Sequence, residues 1–240
     1  MTWQDATPQE DLYLRVVSDL QNADEIEVFS DLIEIDDEES NSLGIPLRQR
    51  AEEIRGITQE RPEWDGVIID QEIEERGLRF YQIGSHWRTR KPLPRVTGEF
   101  FLPMFYDSLF SSAPDLAWTG STDDERQLYS EFRVIDSQPN SGSDLLTTVR
   151  LQPDSTPLEM WVWDPRVGPK KMGLDYSTYL EMLALTKGAY GWQYLFTDVS
   201  LADDLFHHTA ESIRNMLDIF PRIFPSHDYT SLAARLAERL

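Results

Sequence analysis

The side chains that carry most enzyme chemistry are sparse in this 240-residue chain. Two of its four histidines are adjacent, His207 and His208. Neighbouring side chains on a helix diverge by about 100° and do not readily bind one ion together. His227-Asp228 has the composition of an acid–base pair, but Ser226 beside it sits on no nucleophile elbow or glycine-rich turn, and a helix cap is the simpler reading. Glu159 and Asp164 bracket an aromatic stretch and raise the possibility of a two-carboxylate glycosidase. Residues i and i+5 of a strand, however, point to opposite faces. "VGPKKMG" lacks the Ser/Thr and spacing of a phosphate loop. Cysteine is absent, which excludes disulfides, thiolate zinc sites, iron–sulfur clusters and cysteine nucleophiles. The sequence therefore predicts no catalytic constellation, no bound metal and no cofactor.

Aromatic residues are the remaining chemical resource. The stretch "LTKGAYGWQYLFTDV" (185–199) places Trp192, Tyr194 and Phe196 at period two beside Gly188 and Gly191. Indoles and phenols dominate both protein cores and binding hot spots, so the segment reads either as core or as a ligand box. In "PLEMWVWD" (157–164), Leu158, Met160 and Val162 alternate against Glu159, Trp161 and Trp163. Such a strand buries an aliphatic face and lays indoles over the other, as expected of a central strand. Trp161 and Trp163 are candidate partner-binding residues. The alternative is a hydrolase or transferase that holds a small or sugar-like ligand against Trp161, Trp163 and Trp192.

Charge narrows the partner. The formal net charge is −21, and residues 1–75 hold 22 acids against 5 bases, whereas residues 76–95 hold six bases and no acid. A chain this acidic is repelled by phosphate backbones and anionic lipid, so neither nucleic acid nor a membrane surface is expected to bind it. A basic protein partner is favoured, with Asp36, Asp37, Glu38 and Glu39 as candidate contacts. That run lacks the spaced ligands and turn glycine of a calcium loop. No membrane-length apolar run and no basic-then-apolar leader occurs, which predicts a cytoplasmic protein.

The elements that must position these groups follow from periodicity. Leu12, Tyr13, Val16, Val17 and Leu20 predict an amphipathic helix over 11–20. Residues 26–35 suit a bent strand or two short ones, 46–56 a short helix, and Asp65-Gly66 a tight turn into a β-rich run. "LRFYQIGSHWRTR" predicts a strand with Arg79 and Gln82 outward. A helix starts after Pro103 with Phe105, Tyr106, Leu109 and Phe110 facing inward. Strands are expected at 131–136, 145–152 and 157–164, then helices at 174–187, 203–220 (ended by Pro221 and Pro225) and 229–240. The fold class is α+β: a mixed, largely antiparallel sheet flanked by helices in one domain over 1–240, with an acidic portion at 1–75 and a helical C-terminus.

From residue 98 this order resembles the SUKH superfamily of cell-wall assembly regulators and toxin-immunity proteins. "LPMFY" with Leu109 is similar to that family's Leu-Pro-x-x-Tyr opening of a helix. "PLEMWVWDPRVG" is similar to its late strand and turn, and "LDYSTYLEMLAL" to the helix that follows. The resemblance covers about residues 98–187, within a SUKH-like core of about 98–200. The Asn-Gly usual after the first helix is absent here. The resemblance implies a protein that works by binding another protein, including immunity proteins that neutralise a toxin.

Overall fold

The computed structural model describes residues 6–34, 56, 64–69, 78–154 and 157–240. The expected helix at 46–56 and the acidic run Asp36, Asp37, Glu38 and Glu39 lie outside these residues, apart from Gly56. The class is α+β as expected, with seven described strands in two antiparallel sheets, β1-β2-β3 and β4-β5-β6-β7.

Helix α1 (Pro8–Asn22) begins at Thr7, whose hydroxyl accepts the Glu10 amide while the Glu10 carboxylate accepts the Thr7 amide. This reciprocal cap satisfies two of the orphan donors at a helix start. Its buried stripe of Tyr13, Val16, Val17 and Leu20 lies against the first sheet, built from β1 (Ile26–Glu34), β2 (Gln82–Thr89) and β3 (Thr97–Pro103). One strand with a bulge between Val28 and Ser30 replaces the two short strands that residues 26–35 also allowed.

Beyond β3 come helix α2 (Phe105–Phe110) and helix α3 (Asp123–Ser130), then β4 (Phe132–Ser137), β5 (Leu146–Arg150), β6 (Glu159–Asp164) and β7 (Gly168–Lys171). β6 lies between β5 and β7, the central position expected of it. Where β3 meets β4, side chains do the work of a ladder. Asp136 Oδ1 accepts the Phe101 amide at 2.8 Å, and the Glu99 carbonyl accepts Gln138 Nε2 at 3.2 Å. The Glu99 carboxylate takes the Asn140 amide, Asn140 Nδ2 and the Ser141 amide at 2.6–2.8 Å. Helix α4 (Tyr176–Thr186) lies under this seam. Tyr13 Oη of α1 donates to its Leu180 carbonyl at 2.8 Å, and its Tyr179 reaches Asp136.

Helix α4 ends at Lys187 in the left-handed region (φ 53°) and Gly188 (φ 70°). A Cβ on Gly188 would stand 2.7 Å from the Glu99 carbonyl, so only glycine lets this turn close on β3. The Glu99 amide then donates to Gly188 and the Tyr190 amide to Thr97, which closes that end of β3. Residues Trp192–Phe196 form a 3₁₀ helix, not the extended segment that their period of two suggested, and all five are buried. Helix α5 (His207–Ile223) carries Pro221 inside it, two residues short of its end, so that proline does not stop it. Helix α6 (Thr230–Arg239) is terminal, as expected. Among the described residues no helix is long and apolar enough to cross a membrane.

Arg79 corrects a further expectation. It is 7% exposed and does not point outward, because the fully buried Glu10 carboxylate accepts its amide, Nε and Nη2 at 3.0, 2.8 and 2.7 Å.

Candidate functional site

The two faces of the second sheet differ in chemistry. On the inner face Met160 and Val162 are fully buried and Asp164 is 1% exposed, while Glu159, Trp161 and Trp163 stand half-buried on the outer face. Antiparallel pairing fixes the neighbours of the indoles. Trp161 lies between Thr148 and Lys171, and Trp163 between Leu146 and Pro169. The Phe132 ring packs on Trp161 with centroids 5.7 Å apart. A charged ladder crosses the same face: Arg150 bonds Glu131 at 2.6 Å and Glu159 at 3.3 Å, and Lys171 bonds Glu159. Trp161 Nε1 donates to Glu159 Oε2 at 3.1 Å. Burial pushes the Glu159 carboxyl up, but bonds from Lys171, Trp161 and Arg150 outweigh it and hold the group below the usual range. The result is a sheet face on which two half-buried indoles sit in a largely paired charge network.

Trp192 does not join this surface. It is fully buried, its ring 5.1 Å from Tyr179 and 5.9 Å from Phe196, and Tyr179 Oη lies 3.0 Å from Thr147 on the sheet's inner face. Trp192 and the pair Trp161 and Trp163 therefore lie on opposite sides of the sheet. The aromatic segment that opened the ligand-box question is filled core.

The candidate catalytic pairs come apart in the same way. Asp164 is a turn clamp: its carboxylate accepts the Arg166 amide at 2.7 Å, Arg166 Nη2 at 2.6 Å and the Tyr194 hydroxyl. Burial pushes its carboxyl up, yet those donors hold it down, which keeps it ionised where a general acid must be neutral. Glu159 faces the other way. His227 turns to Asp19, 3.9 Å away, while Asp228 accepts the Thr230 amide at 2.9 Å at the start of helix α6, whose N-cap is Tyr229. His208 lies 3.7 Å from Glu211. Among the described residues no cluster of three or more His, Asp or Glu is arranged to hold a metal ion.

Among the described residues, two clefts are lined by no indole. One of about 480 Å³ is bordered by Pro94, Arg95, Tyr190, His208, Glu211 and Asn215. The other, about 330 Å³, lies over Ser30, Leu32, Gly84, Phe101, Pro139 and Asn140.

Sequence reasoning missed a buried acid. Asp136 is 1% exposed, and burial pushes its carboxyl up to about 7 against the opposing bonds from Tyr179 (2.5 Å) and the Phe101 amide. A raised folded-state value gives stability that is fully present below the unfolded value of about 3.9 and is lost as pH rises through about 7. Stability attributable to Asp136 should thus fall between pH 4 and pH 7, by at most about 1.4 kcal/mol per unit. Asp136→Asn keeps an oxygen for the Phe101 amide and should flatten that slope. Urea unfolding of both proteins at pH 5, 6, 7 and 8 tests this, and parallel curves would show that Asp136 is not the titrating group.

No protein-family model matches this chain, and no curated protein or solved structure matches it either.

Proposed function

We propose that this protein is a cytoplasmic, non-enzymatic module that binds another protein, and that its partner is basic. The observation that carries this reading is the separation of its indoles. Trp192 is spent on the core, while Trp161 and Trp163 stay half-buried on the outer face of the sheet, outside both of the clefts described above. Semi-exposed tryptophans framed by paired charges have the character of interface hot spots. The net charge of −21 speeds capture of a basic protein and disfavours nucleic acid. The SUKH-like order of α2, β6, β7 and α4 makes neutralisation of a toxin the specific form of this proposal.

Trp161→Ala/Trp163→Ala should lower partner affinity by about 2 kcal/mol or more, roughly thirtyfold. Its melting temperature should change far less than that of a core variant. The measurement is affinity purification from the native host at low and high salt, with wild type and variant compared and the bound proteins identified. Retention of a toxic, basic protein by wild type but not by the variant supports the reading. Capture that is equal for the two proteins and indifferent to salt would sink it.

A further inference from the structure

Among the described residues, the first sheet is closed at one edge and open at the other. At β3 the 188–190 turn and the β4 seam take up the strand, whereas among the described residues no strand pairs with the far side of β1. The direction of the free groups follows from the ladder. The Thr89 amide bonds the Val96 carbonyl, so the main-chain groups of Thr89, Trp87, Ser85 and Ile83 face β3. Those of His86, Gly84 and Gln82 then face β1 and meet Ser30, Leu32 and Glu34. By alternation, the N–H and C=O groups of Asp31 and Ile33 point away from the sheet.

Three features distinguish this edge from one that is merely guarded. From Asp24 to Glu34 it carries five acids and no base. It also leaves large apolar groups in water, with Phe29 48% and Ile33 38% exposed. Finally, the 330 Å³ cleft begins at Ser30 and Leu32 and runs over Gly84. A Cβ on Gly84 would lie 2.7 Å from the Phe100 carbonyl, so the floor stays bare. A strand added about 4.8 Å beyond β1 would set one of its side chains beside Leu32 at the rim of this cleft.

We propose that the free edge of β1 takes an extended segment of the basic partner as an added antiparallel or parallel strand, with a basic side chain meeting Asp31 on one face of the sheet and an apolar one entering the cleft over Gly84 on the other. The inference rests on the protein-binding reading and adds the mode of binding. Main-chain bonds supply affinity in this mode and the cleft supplies selectivity. A second copy of the chain is the disfavoured occupant, because pairing β1 with itself sets Glu27, Asp31 and Glu34 against their own kind.

The test uses the full chain and an acetylated, amidated seven-residue peptide alternating Lys and Val, with a Glu/Val peptide as control. Saturating Lys/Val peptide should slow hydrogen exchange of the Asp31 and Ile33 amides by about tenfold or more, while the Glu/Val peptide does nothing. Ile33→Pro removes an outward N–H and no bond to β2, so exchange at Ser30 and Leu32 should stay as in wild type while peptide protection disappears. Asp31→Lys/Glu34→Lys, altered only in exposed side chains, should weaken peptide binding by about tenfold or more. Protection lost in both variants supports strand addition. Unchanged exchange at saturating peptide overturns it, as does concentration-dependent protection without peptide, which would identify a second copy as the occupant. Peptide-induced shifts confined to Trp161 and Trp163 overturn it too, yet leave the protein-binding reading standing.

Discussion

Trp192→Ala is expected to lose about 3–5 kcal/mol of stability, the usual cost of emptying a large buried aromatic site. For a chain of this size that is a drop of roughly 6–20 °C in Tm. The magnitude follows from position: the indole is fully buried and packs on Tyr179 and Phe196. Tyr179 in turn holds Asp136, and Asp136 holds the seam between the sheets through the Phe101 amide. A cavity here therefore loosens both sheets. Trp192→Phe separates volume from polarity. The indole N–H has no partner among the described residues, so phenylalanine gives up no hydrogen bond and should cost less than half as much. Urea unfolding should show a lower midpoint with unchanged slope. A Trp192→Ala protein that melted like wild type but lost binding to a partner or ligand would move the residue from the core to a site.

The legible parts of this fold are those whose signal is local. Tyr13, Val16, Val17 and Leu20 mark α1 by spacing alone, and Met160 against Trp161 marks β6 by alternation, because one side of each element is buried and the other is not. The segment Trp192–Phe196 was misleading for the converse reason. Every residue in it is buried, so the period of two carried no information about backbone shape. Arg79 departs from the outward orientation that alternation predicts because its partner, Glu10, lies 69 residues earlier and nothing near position 79 announces it. The division into two sheets rests on Asp136, Glu99 and Gln138, single polar residues that leave no periodic trace. The candidate site divides along the same line. The outer-face placement of Trp161 and Trp163 could be read from alternation, but that β1 is the open edge could not, since strand order is a property of long-range pairing.

Glu10→Ala should be about as damaging as the loss of Trp192, and for an electrostatic reason. The wild-type carboxylate accepts three bonds from Arg79 and one from the Thr7 amide, with no exposure to solvent. Removing it takes away the acceptor of three Arg79 donors on a side chain that is only 7% exposed, and breaking a buried pair from one side typically costs about 3–5 kcal/mol. The helix cap goes with it, because Glu10 supplies half of the reciprocal box. Burial pushes the Glu10 carboxyl up, but Arg79 and Thr7 outweigh it and hold the group below the usual range. A depressed folded-state value gives stability that is present above the unfolded value of about 4.3 and is lost as pH falls through the folded value. Wild type should therefore lose part of its margin over Glu10→Ala on acidification below about pH 4. The double variant Glu10→Ala/Arg79→Ala completes the argument. The two single variants remove the same directly bonded pair, so the double variant's loss should be smaller than the sum of the single losses by more than about 1 kcal/mol. Strict additivity in denaturant unfolding would mean that the pair is not coupled, and that α1 is held to residue 79 by packing alone.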